Sequence, residues 1–331
     1  GALTLPALTE LARQHGCHGI ALTDHADQGN QTASGAYFEA IAAERKVSRF
    51  PYIIGGLEWN VSPYEGREHL NVLAAPAHEQ ALIEFRQKHE SGDATSAMQW
   101  LAQQRQQPHD IVVLYNHPSR KDLDAQENLD DYARWTENND VLIGFEGGPG
   151  HQRGSPRGDY FEKLQTVDGW DPIAATVGGG WDQLLDAGMN PWAALASSDF
   201  HSGSGDFAPC EFSRTHVLVP EISENGILMG LRAGAFWAQM GPFLDQLDFS
   251  VTSPGLIVPA VPGESFQLGS VPTLNIHVAL QRHERAAEQT ITVSLIGNAM
   301  SGRPEIIASE SLTAEQHSQD WQIEHPEIGG D

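Results

Sequence analysis

Four short apolar runs in this chain each lead into a histidine or a carboxylate. Gly19-Ile20-Ala21-Leu22-Thr23 runs into Asp24-His25, and Tyr52-Ile53-Ile54-Gly55-Gly56-Leu57 into Glu58. Ile111-Val112-Val113-Leu114-Tyr115 runs into Asn116-His117, and Trp192-Ala193-Ala194-Leu195-Ala196 leads to Ser198-Asp199-Phe200-His201. Residues two apart on a strand share a face, so Asp199 and His201 can reach one site. His69, just ahead of Leu70-Asn71-Val72-Leu73, adds another imidazole.

Mixed imidazole and carboxylate donors suit Zn²⁺, Mn²⁺ or Fe²⁺, whereas an all-oxygen shell suits Ca²⁺ or Mg²⁺. The candidate ligands are His25, Glu58, His69, His117, Asp199 and His201, with Glu58, Asp199 and His201 closest to catalysis. Glu58 stands alone among histidines, and its two oxygens can bridge two ions. Two ions about 3.5–4 Å apart would share a hydroxide and clamp attacking and leaving oxygens. Two divalent transition metals are therefore expected from the residues alone. Each residue also has a plain structural role open to it: Thr-Asp-His and Asn-His-Pro are turn chemistry, and His69 can open an edge strand. The joint placement of all six beside strands is what favours a metal centre.

The elements must bring those run ends together. Leu5 to His15 has helical spacing, with Thr4 as N-cap and Gly16 as the stop. Further helices are expected near 36–46, 79–88, 96–106, 130–138, 181–187 and 224–236, and strands near 52–57, 69–74, 111–115, 141–145, 192–197 and 215–219. Strands alternating with helices imply a mostly parallel sheet, and ligands at strand ends fit the C-terminal face of a β/α barrel. After Gly241-Pro242 the helical period gives way to short alternating stretches at 247–251, 274–280 and 290–296 between Pro and Gly clusters. These read as a small antiparallel β-sandwich. The expected division is residues 1–241 and 242–331.

Composition narrows the function. The formal net charge of −25 over 331 residues excludes unaided nucleic-acid binding, which needs a basic face. No stretch approaches the roughly 20 apolar residues of a membrane span. No leader pattern opens the chain, which leaves the cytoplasm, or export with a leader removed. Cys17 and Cys210 are too few for a disulfide framework and have no CxxC spacing. Asp331 follows Gly-Gly without a closing strand pattern, so the natural chain is expected to continue.

In this order the motifs Ala21-Leu22-Thr23-Asp24-His25, Gly56-Leu57-Glu58, His69, Asn116-His117-Pro118 and Ser198-Asp199-Phe200-His201 resemble the polymerase and histidinol phosphatase (PHP) superfamily. The resemblance covers about residues 1–240. It implies a distorted seven-stranded β/α barrel that holds up to three metal ions and hydrolyses phosphoesters. It would make Glu58 the bridging carboxylate, with His69 and His117 on one metal, Asp199 on a second, and His201 with His25 on a third. Asn116 and Asp24 would be orienting neighbours. The stretch from Gly234-Ala235-Phe236 to Gly241-Pro242, with the β region beyond it, resembles the branch that includes carbaryl hydrolases. One departure stands out: the family opens with a His-x-His strand and a Ser-Asp-Gly turn, and Gly1 stands where that turn's glycine would be. The expectation is that this first strand lies upstream of Gly1.

The substrate expected is a small, anionic ester. Glu146, which closes Val141-Leu142-Ile143-Gly144-Phe145, resembles a family position near the site. The following loop offers His151, Arg153 and Arg157 to an anion; a solvated surface loop accounts for them equally well. Thr176-Val177-Gly178-Gly179-Gly180 lacks the Lys-Ser/Thr of a P-loop and reads as a turn. Two alternatives stay open: carboxylic or carbamate ester hydrolysis on the same metals, and a non-catalytic protein that binds metal or glycan. An amidohydrolase barrel fits less well, since it wants a bridging lysine and none of the four lysines follows a strand.

Overall fold

The computed structural model describes residues 3–26, 33–62, 68–89, 91–119, 125–150, 169–203, 205–254, 256–266, 273–298 and 304–324. Helix α1 (Leu5–Gln14) leads to β1 (Gly19–Leu22), and α2 (Gly35–Val47) to β2 (Tyr52–Asn60) and β3 (His69–Ala74). Helices α3 (Glu79–Lys88) and α4 (Ala94–Gln103) precede β4 (Ile111–Asn116), and α5 (Ala125–Trp135) precedes β5 (Leu142–Pro149). Short α6 (Pro172–Ala175) and α7 (Gly180–Asp186) lead to β6 (Trp192–Ser197). Then come β7 (Ser213–Val217), α8 (Glu224–Ala233) and β8 (Phe236–Met240).

Local chemistry sets these boundaries. Ser34, Asp93 and Ser223 each accept a backbone amide of the first turn of α2, α4 and α8. Gly234 ends α8 at φ +70°, where a Cβ would also strike the Trp192 indole. The Thr176–Gly180 segment is a turn between α6 and α7, with Gly178 at φ +76°.

Strands β1 to β6 form one sheet in sequence order. The sheet is mostly parallel, as expected: five of its six strands run the same way and β3 is reversed. β1 pairs with β2, β4 with β5 and β5 with β6 in parallel, whereas β3 is antiparallel to both neighbours. The reason is the connection: residues 61–68 are too few for the crossover that a parallel pair requires.

Alternation along each strand divides the apolar residues between two faces. Ile53, Leu57, Val72, Val113 and Tyr115 pack against the outer helices. Ile54, Leu73, Val112, Leu114, Ile143 and Leu195 point the other way and meet Leu228 and Leu231 of α8 with Phe236 of β8. The sheet therefore curls around α8, and both its faces are covered. This explains why β2 is buried along nearly its whole length.

Among the described residues the sheet has six strands, with β1 and β6 at its edges. β7 and β8 form their own antiparallel pair beside β6, where Thr215 Oγ1 donates to Ala196 O at 2.9 Å and accepts from Ala196 N at 3.0 Å. Beyond them lie β9 (Leu244–Thr252), β10 (Thr273–Arg282), β11 (Ile291–Asn298), β12 (Pro304–Leu312) and β13 (Ser318–Glu324). They build a three-stranded sheet ordered β13-β10-β9 and a β11-β12 pair, all antiparallel. Ile276, Val278, Leu280 and Leu312 are buried there.

Cys17 and Cys210 form a disulfide across 193 residues. Their spacing gave no sign of it, because the fold alone brings them together.

Candidate metal centre

Period-two alternation places the site. Glu58 shares its face of β2 with Ile54, and Asn116 shares its face of β4 with Leu114, so both project to the concave side above α8. Strand β3 runs opposite to its neighbours, so the start of β3 lies beside the ends of β2 and β4. Its register pairs His69 with Asn60 on one side and Asn116 on the other. His25 extends β1 by an isolated parallel bridge to Glu58.

Glu58 is the hub. Its Oε2 lies 3.2 Å from His25 Nδ1, and its Oε1 lies 3.2 Å from His69 Nδ1 and 3.9 Å from His117 Nε2. Asn116 Nδ2 donates to the same Oε1 at 2.9 Å. Ligand atoms of His25, Glu58 and His69 all fall within 4.8 Å of one another. The rings continue the cluster, with centroids 5.2 Å apart for His69 and His117, 5.1 Å for His25 and His69, and 6.0 Å for His25 and His201.

The site is graded in depth. Glu58, His69 and His117 are buried, whereas the His201 side chain is 55% exposed and forms the mouth. Beside it, Asp199 Oδ1 lies 3.7 Å from His201 Nδ1. His117 (φ +31°) and Asp199 (φ +45°) both adopt left-handed backbone, a conformation that costs on the order of 1 kcal/mol outside glycine. The surroundings hold them there: Glu146 Oε2 accepts the His117 amide at 3.1 Å, and Asp206 Oδ2 accepts the amides of His201 and Ser202 at 2.7 and 2.6 Å.

Electrostatics follow from this crowding. Burial pushes the Glu58 carboxyl up, but the imidazoles of His69, His25 and His117 outweigh it and bring the pKa down to about 2. Glu146 goes the other way: burial first, then the charges of Asp199 and Glu58, raise it above the carboxylate range. For His201, burial lowers the pKa, yet Asp199, Glu58 and Asp206 together raise it.

The six residues expected as ligands thus gather at one place, and Glu146 joins them with Ser197 Oγ as its donor. His151, Arg153 and Arg157 lie outside the described residues. Sequence reasoning missed Asp206 and Asp171. Asp171 is fully buried and accepts Ser119 N and Oγ at 2.9 and 2.7 Å, which fixes the turn after His117. Asp171-Pro172 did offer a helix-cap signal.

No family model matches the sequence, and no curated protein matches it. Among solved structures, the chain is similar to a two-domain protein of Bacteroides vulgatus containing a predicted PHP-like metal-dependent phosphoesterase. That alignment has 12% identity and a TM-score of 0.43, over 98% of this chain and 81% of that one. It is also similar to a candidate metal-dependent phosphoesterase of Bifidobacterium adolescentis, with 16% identity and a TM-score of 0.24 over 44% of this chain and 73% of the other. At these values neither likeness bears on function, which rests on the site itself.

Proposed function

We propose that this chain is a metal-dependent hydrolase of small phosphoesters, of the kind the PHP resemblance implies. The observation that carries the reading is Glu58. One buried carboxylate presents Oε2 to His25 and Oε1 to His69 and His117, a bridging ligand's arrangement. The donor set fits borderline divalent ions such as Zn²⁺, Mn²⁺ or Fe²⁺. His69 and His117 with Glu58 would hold one ion, and His25 with His201 another. Asp199 adds a carboxylate beside His201.

Such ions, when bound, lower the pKa of water toward neutrality and neutralise charge developing on phosphoryl oxygens. The chain's own residues supply the rest. Buried Glu58, Glu146 and Asn116 keep the floor of the site fixed. His201 is accessible at the mouth, where it would be the ligand that meets the incoming ester. Arg153, Arg157 and His151 are proposed to meet the anionic group. Residues 1–241 are proposed as the hydrolytic unit, and residues 242–331 as a β unit attached to it.

The test is metal content per chain by plasma mass spectrometry on protein purified without chelators, followed by turnover of bis(p-nitrophenyl) phosphate and an aryl carbamate. Two or more equivalents, lost in Glu58→Ala, with faster turnover of the phosphodiester, support the proposal. Faster carbamate turnover would move the assignment to the carbaryl-hydrolase-like alternative. A metal-free chain without esterase activity would overturn both.

A further inference from the structure

The disulfide joins the two parts of the chain that carry His25 and His201. Cys17 lies two residues before β1, and β1 runs into His25. Cys210 lies in the segment between β6 and β7 that also carries His201. Along the main chain His25 and His201 are 176 residues apart (201 − 25). Through the disulfide the path shortens to eight residues on one side (25 − 17) and nine on the other (210 − 201). The two rings meet at 6.0 Å.

The position of this link is specific. β1 and β6 are the edges of the sheet among the described residues, so no ladder there pairs them directly, and strand hydrogen bonds connect the His25 side to the His201 side only by way of β2 to β5. The disulfide spans between those sides. The segment itself is organised locally: Asp206 accepts the amides of His201 and Ser202, Phe207 stacks on Phe212 at 4.6 Å, and Glu211 accepts the Ala208 amide at 2.8 Å. Cys210 takes a left-handed φ of +62° as it packs against the outer core. A movement of this folded segment as a unit would carry His201 with it.

We propose that the Cys17–Cys210 disulfide positions His201 against His25, so that this half of the metal centre reaches full affinity only in the oxidised chain. The metal part of the inference rests on the hydrolase reading; the positioning part does not. Reduction is a balanced exchange with a dithiol. The Cys17–Cys210 S–S bond breaks, the two cysteines take up two electrons and two protons, and the dithiol closes to its own disulfide. Cross-links act chiefly by restricting the open states of a chain. The open state that matters here is a local one.

The first experiment uses metal-free protein, where no ion can hold the histidines. Hydrogen exchange is read peptide by peptide, oxidised and with dithiothreitol, below the unfolding transition. Faster exchange is expected in the 198–212 segment, with β2 to β4 unchanged and protection restored on reoxidation. Reducing a cross-link that merely stabilised the fold would lower the unfolding midpoint and leave local exchange alone, and that result would overturn the proposal. The second experiment measures Zn²⁺ binding by the Cys17→Ser/Cys210→Ser variant, which avoids metal chelation by the reductant. One equivalent should weaken about 10–100-fold while the rest is retained, in the range of losses for supporting residues around metal ligands. Unchanged affinity for every equivalent would overturn it. If the double variant does not fold, phosphine-reduced wild-type protein replaces it in the same titration. An oxidised chain that binds no metal would sink the hydrolase reading, and the exchange result would still decide whether the disulfide positions His201.

Discussion

Glu58 and His69 are diagonal neighbours across an antiparallel strand pair, Oε1 to Nδ1 at 3.2 Å, although one follows its apolar run and the other precedes it. The reversal of β3 makes that possible. It carries His69 to the same rim that the parallel strands reach with their C-terminal ends, and so completes a ring of imidazoles around one carboxylate.

Removing that carboxylate should cost the centre its metal. Glu58→Gln keeps the size of the side chain and one acceptor oxygen, and removes the charge between three imidazoles. Bound metal should fall by at least one equivalent, and turnover about a hundredfold or more. In metal-free protein the sign is fixed by the depressed pKa. Glu58 contributes stability above its ordinary value of 4.5, and that contribution is lost as pH falls toward about 2. Urea titrations of wild type and variant should therefore differ at pH 6 and converge near pH 2. Parallel curves across that range would refute the role assigned to Glu58.

The site was more legible in the sequence than the fold around it. Apolar runs that end in His or carboxylate are readable because strand ends and chemistry coincide, and His25, Glu58 and His69 do come within ligating distance of one another. His69 was readable as a residue but not in its logic, since a run's direction in the sheet is set by the length of its connection. Strand β8 was hidden by the same property that makes it bury well: the helical pattern ran on through Phe236, and only Gly234 in its left-handed conformation marks the break. The last two strands, β12 and β13, escaped because exposed antiparallel strands carry little apolar signal. Asp206, Asp171 and the disulfide depend on contacts far apart in sequence or on turn geometry, which composition and spacing do not encode.

Glu146 should behave as a stability cost. Its pKa is raised, first by burial and then by the charges of Asp199 and Glu58, so folding favours its neutral form. Stability is then lost as pH rises above its ordinary value of 4.5. Glu146→Gln removes that loss, and the amide oxygen can still accept the His117 amide. The metal-free variant should melt at a higher temperature than wild type at pH 7, with the two converging below pH 4. A variant less stable at pH 7 would show that the charge on Glu146 is compensated in the fold.

His201 and His69 should separate chemistry from structure. The His201 side chain is 55% exposed, so His201→Ala should leave stability within about 0.5 kcal/mol of wild type. Loss of this ligand should lower kcat about a hundredfold or more. His69 is buried against Glu58, and His69→Ala takes one of the partners of Oε1 from a buried carboxylate, so the fold itself should weaken by about 1–3 kcal/mol. Paired urea melts and turnover assays check this, and equal stability losses in the two variants would count against the graded site.

Asp206 tests whether the backbone under His201 matters as much as the imidazole. One oxygen accepts the amides of both His201 and Ser202, and the residue is largely buried. Asp206→Ala leaves two donors without that acceptor, at a cost of about 1–3 kcal/mol for a buried unsatisfied group. Asp206→Asn keeps an oxygen there and should recover most of the stability. If backbone position governs the ligand, Asp206→Ala should also weaken metal binding about 10–100-fold, with Asp206→Asn close to wild type. Metal affinity that follows charge instead, with Asn as poor as Ala, would mean that Asp206 acts on His201 through its field rather than through the turn it holds.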